Sequence, residues 1–160
     1  MAEWESFFVA QAGASAALAG LIFVGISISL DELLKYPNLV LRAAVALGLL
    51  LSVLVVSTLL LAPGTSGRTV GAEILGVGIV AWLIITGMSA LGVRRTDAPF
   101  RRYSWLSLAM VQVAMIPLVI AGIAVLTRGA GGLYWLLPAF IGCFLVAVFD
   151  AWVLLVEMHR

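Results

Sequence analysis

The chain has 160 residues, 64% of them hydrophobic and 11% charged, with a mean hydropathy of +1.20 and a formal net charge of +1. A soluble domain carries about a quarter charged residues, so these values exclude one and place the chain in a bilayer. The longest stretch between apolar runs, "VRRTDAPFRR" at 93–102, is too short for a soluble catalytic, nucleotide-binding or zinc module.

Crossing about 30 Å of hydrocarbon takes about 20 apolar residues. Five windows qualify, at roughly 4–30, 38–62, 69–92, 103–127 and 132–157. The expected fold class is therefore all-α: one polytopic transmembrane domain over 1–160, folded as a five-transmembrane-helix bundle.

The first window contains "QAGASAALAG" at 11–20, which is nearly devoid of bulky side chains. Lipid tails supply no hydrophobic drive between helices, so association there depends on close backbone approach, which small residues permit. Ala12, Ala16 and Gly20 form one stripe, with Gly13 and Ala17 beside it. Small residues thus surround most of the helix, which predicts that protein encloses it, either at the centre of the subunit or at an interface between copies. Gln11 and Ser15 add polar groups one turn apart, read as helix packing or as the wall of a polar path in an oligomer. The preceding "MAEWESFFVAQ" is acidic and too short for a secretory signal, so the window is read as an uncleaved span.

Pro37 opens the second window and Pro63-Gly64 closes it. Arg42 lies near its start, and Ala44, Gly48 and Ser52 repeat the small-residue spacing. In the third window Glu73 falls in the first turns, where the helix dipole favours a negative charge, with Arg68 close by as an ion-pair candidate. The connection that follows holds Arg94-Arg95 and Arg101-Arg102 around Asp97, with Pro99 beyond. The basic residues set orientation or bind anionic lipid or a partner protein. In the fourth window Gln112 is expected to hydrogen-bond to another helix, and Pro117 to bend its own.

The fifth window carries the stripe Ala139, Cys143 and Ala147. At about 100° per residue, Asp150 and Glu157 fall on that same packing face and Trp152 on the opposite one. An aspartate near a helix centre in a membrane costs about 2.5–3.5 kcal/mol, so it calls for a reason. Asp150 is either half of an ion pair fixing helix register, with Arg42 the favoured partner and Arg101 or Arg102 the others, or a group serving transport or gating. Glu157 and Gln112 are weaker candidates for such a role.

With five spans, Arg68 and Arg128 share one side, while Lys35, Arg42, Arg94, Arg95, Arg101, Arg102 and Arg160 share the other. The positive-inside rule places the N-terminus outside and the C-terminus in the cytoplasm. Trp4, Tyr134 and Trp135 then fall at the outer interface and Tyr36, Tyr103 and Trp105 at the inner one.

Catalysis is not expected. His159 is the sole histidine and Cys143 the sole cysteine, too few ligands for a metal or haem site, and no cofactor is predicted. "GMSALG" at 87–92 is similar to the G-x-S-x of intramembrane serine proteases, yet no span supplies a histidine at matching depth. Aspartyl intramembrane proteases need two facing aspartates, and Asp150 is alone well inside a span.

The 28 residues "FFVAQAGASAALAGLIFVGISISLDELL" resemble the opening of small polytopic membrane proteins of high-GC bacteria, some labelled as modulators of a membrane protease. The resemblance implies a bacterial inner membrane and assigns no catalytic or binding residue. Two functions are weighed: a homo-oligomeric channel or small transporter for ions, protons or small solutes, and a non-conducting partner of a larger membrane complex. No nucleic acid partner is expected.

Overall fold

A computed structural model of the chain describes residues 2–63, 67–96 and 101–157, leaving aside the side chains of residues 2, 3, 32, 101, 103 and 157. Gly64, Asp97, Pro99, His159 and Arg160, and the side chains of Arg101, Tyr103 and Glu157, therefore lie outside the described residues. The chain is all-helical, with α1 at Ala2–Ile28, α2 at Leu30–Lys35, α3 at Pro37–Leu61, α4 at Gly67–Arg95, α5 at Arg101–Arg128 and α6 at Leu136–Glu157. A 3-10 segment, Gly129–Trp135, joins the last two.

Four helical stretches are long and apolar enough to cross a membrane: Trp4–Ile28, Pro37–Leu61, Gly67–Arg95 and Ser104–Val156. The last includes α5, the 3-10 segment and α6. Gly129, at φ +63°, ends α5 with a left-handed turn that glycine adopts without a steric penalty. From there α6 returns along α5, and a Cβ on Gly142 would lie 3.0 Å from Ala114 Cα. The outer surface is apolar: Phe23, Leu83, Val113 and Leu145 are all exposed. A soluble protein seldom leaves so large an apolar surface uncovered, and the pattern is compatible with a membrane location.

Close backbone approach decides the packing. A Cβ on Gly122 would meet Leu75 Cα at 2.6 Å, and one on Gly71 would meet Leu126 N at 2.9 Å, so α4 and α5 press backbone on backbone. Gln112 bridges the same two helices, accepting from Trp82 Nε1 at 2.6 Å and donating to Thr86 Oγ1 at 3.0 Å. Helix α5 continues through Pro117. At one end of the bundle Trp4 meets Tyr134 edge-on, with ring centres 5.0 Å apart, and Phe7 stacks on Phe140 at 6.1 Å. The opposite end carries Lys35, Arg42, Arg94, Arg95 and Arg102 and is called here the basic end.

Of the two positions expected for α1, the centre of the subunit needs correcting. Its packing edge is narrow, formed by Trp4, Phe8, Ser15, Leu18, Ala19, Ile22 and Ile26, and it rests chiefly on α3. Gly13, Ala16, Ala17 and Gly20 are exposed, and Ala12 is half-buried. The reason is size: Phe8, Leu18 and Ile22 bury more apolar area per residue than alanine, so the intramolecular contact uses the bulkier edge. A central position within the subunit is thereby excluded.

Candidate functional site

Asp150 lies two turns from the end of α6, on the face that also carries Ala139, Cys143 and Ala147. Those three are fully buried, and Asp150 is 1% exposed. Their lack of bulk lets α3 and α5 close over α6 and draws the carboxylate into the bundle. Trp152, on the far face, is exposed.

Arg42, in the second turn of α3, places Nη1 3.8 Å from Asp150 Oδ1. That separation makes an ion pair but is too long for a hydrogen bond. Both carboxylate oxygens are buried with no hydrogen-bond partner among the described residues. The two partners differ in freedom, because 27% of the Arg42 side chain is exposed.

The pair opens onto a small cavity, about 50 Å³, at the basic end. Its polar wall comes from Asn38 and Arg42 on α3, Ser89 on α4, Thr96 just past it, Ser104 and Ser107 on α5, and Asp150 on α6. Ser104 donates to Thr96 Oγ1 at 3.1 Å, and Thr96 donates to Gly92 O at 2.8 Å. Asn38 Oδ1 and Ser89 Oγ are buried without a hydrogen-bond partner among the described residues. Deeper along these helices, one turn on α4, α5 and α6 and two on α3, stand Leu49, Ile85, Val111 and Ala147, each no more than 2% exposed. Among the described residues the cavity is therefore blind, floored by a buried apolar layer.

The remaining predicted residues fall elsewhere. Ser15 is fully buried but donates to Ala12 O at 3.0 Å on its own helix, and Gln11 is half-buried on α1. Neither lines the cavity. Gln112 is held by Trp82 and Thr86 and is no free polar group. Arg102 is exposed. Among the described residues Arg68, which is exposed, forms no ion pair with Glu73, and one buried oxygen of Glu73 has no hydrogen-bond partner. Ser52 is buried and donates to Gly48 O at 2.7 Å; Gly48 lies against Ile85 of α4, and Ala44 is half-buried.

Sequence reasoning did not find Asn38, Thr96, Ser104 and Ser107, and met Ser89 only as part of "GMSALG". The available signal was position: each sits within a few turns of the same end of its helix, as Arg42 and Asp150 do. The described residues contain no cluster of histidine, cysteine, aspartate and glutamate that could hold a metal ion. No known family model, curated protein or solved structure matches the chain.

Proposed function

We propose that the protein crosses a bacterial inner membrane five times, N-terminus outside and C-terminus in the cytoplasm, and works as a homo-oligomeric transporter or channel for ions, protons or other small solutes. The observation behind this reading is the buried Asp150 carboxylate, which accepts no hydrogen bond from any described residue, stands 3.8 Å from Arg42 and faces a polar cavity. A pair whose sole task was to fix helix register would gain most from bidentate hydrogen bonds, which satisfy the buried oxygens as well as the charge. At 3.8 Å the contact with Arg42 leaves those oxygens available to something that passes. The blind cavity favours a carrier that opens to one side at a time over a continuous pore. Its mouth faces the cytoplasm in this orientation, and the basic residues around it are the anchors that the positive-inside rule expects. No catalytic role is proposed.

A second reading, a non-conducting partner of a larger membrane complex such as a membrane protease, draws on the exposed small face of α1. Flux separates the two. Purified protein in liposomes should carry ions or protons down a gradient, and Asp150→Asn should abolish that flux. A wild type that passes nothing under any gradient overturns the transport reading and leaves the partner reading standing.

A further inference from the structure

The unfilled groups in the cavity are mostly acceptors. Asp150 Oδ1 and Oδ2 and Asn38 Oδ1 accept only, while Ser89 Oγ can accept or donate; all four are buried without a partner among the described residues, on residues that line the same space. A natural structure rarely leaves a buried carboxylate without donors, because each unmatched group is costly in a low-dielectric interior. Among the described lining residues an anion would find only Arg42 to receive it as a charge, and it would face the carboxylate. The complement must be a cation or a hydrogen-bond donor.

Charge and size narrow the choice. One carboxylate, already shared with a guanidinium, brings too little charge for Ca²⁺, and Mg²⁺ demands a near-ideal octahedron and gives up water reluctantly. The wall offers no imidazole or thiolate for a softer transition metal. A volume of about 50 Å³ holds a sodium-sized ion with one water, at about 30 Å³ per water.

We propose that this cavity binds a small monovalent cation of sodium type through Asp150, Asn38 and Ser89, and that the Arg42 guanidinium is its tethered competitor. With the cation seated, two positive charges would share one carboxylate, so one must withdraw. Arg42 is the one able to move: its side chain is 27% exposed at the mouth, whereas Asp150 is held at 1%. Entry of the ion thus releases Arg42, and departure of the ion draws it back. The inference rests on the transport reading of this cavity, but binding is measurable without transport.

The test is the thermal unfolding midpoint of the full chain in mild detergent, titrated with NaCl against choline chloride at constant ionic strength. Sodium should raise the midpoint of the wild type in a saturable way. Arg42→Gln should tighten the apparent affinity roughly tenfold, as expected when a competitor that holds the site most of the time is removed. Ser89→Ala should weaken it several-fold, Asp150→Asn should abolish the response, and Asp150→Glu should restore part of it. A wild type and an Arg42→Gln variant that are both indifferent to sodium overturn the proposal, as does an Arg42→Gln variant that binds sodium more weakly than the wild type. Sodium binding without flux would defeat the transport reading alone. Flux without sodium binding would defeat this inference alone.

Discussion

Helices α1 and α6 carry the same compositional device and use it in opposite ways. Both have small residues at four-residue spacing, yet Ala139, Cys143 and Ala147 are fully buried, whereas Gly13, Ala16, Ala17 and Gly20 face outward. The difference lies in what else each helix holds. The stripe of α6 includes Asp150, whose burial next to Arg42 ties that face to α3, while Ser15 on α1 satisfies itself on its own backbone. Small residues permit a close approach; a polar group that must be hidden, or a bulky neighbour that fills a gap, decides which approach is made.

The comparison breaks most readily at glycines. Gly122→Ala puts a methyl 2.6 Å from Leu75 Cα, which is backbone and cannot swing away. It should cost about 3 kcal/mol or more, read as a large fall in unfolding midpoint or in folded yield. The same change at Gly13, which has nothing within 4 Å, should be neutral or stabilising by up to about 1 kcal/mol. Next in size, Ala147→Leu overpacks a fully buried site and should cost about 1–3 kcal/mol. Its counterpart Ala17→Leu should leave subunit stability within about 0.5 kcal/mol. It should, however, lower the detergent-solubilised mass if α1 joins copies; a wild type that already runs as a monomer removes the oligomer from the account. Gln112→Leu, which loses the bonds with Trp82 and Thr86, should cost about 1 kcal/mol.

Much of the architecture was legible because a long apolar run has few alternatives to a helix. The windows at 38–62 and 69–92 lie within a few residues of α3 at Pro37–Leu61 and α4 at Gly67–Arg95. The first window, closing at about 30, ends beside the break at Ser29, but the short α2 was not anticipated, since "LDELLK" is too short and too charged to stand as an apolar window. For the site, helical phase placed Asp150 on the small face of α6, and charge with position named Arg42, which the structure sets 3.8 Å away. Phase assigns a residue to a face of its own helix and nothing more. It could not say that Gln112 meets α4 and not another helix, that α4 and α5 press together at Gly71 and Gly122, or that α1 stands at the edge. Those outcomes depend on several helices packing at once.

The central claim is that solvent and small solutes reach Asp150 from the basic end and stop at the apolar layer one turn deeper. Single cysteines at Ser89 and at Val111, each in a Cys143→Ala background, can be probed in sealed vesicles of either orientation with silver ion, a thiol-reactive monovalent cation small enough for the cavity. The account predicts that Ser89→Cys reacts from the cytoplasmic side only and that Val111→Cys reacts from neither. Inert Ser89→Cys on both sides, or a Val111→Cys that labels as fast, would contradict it.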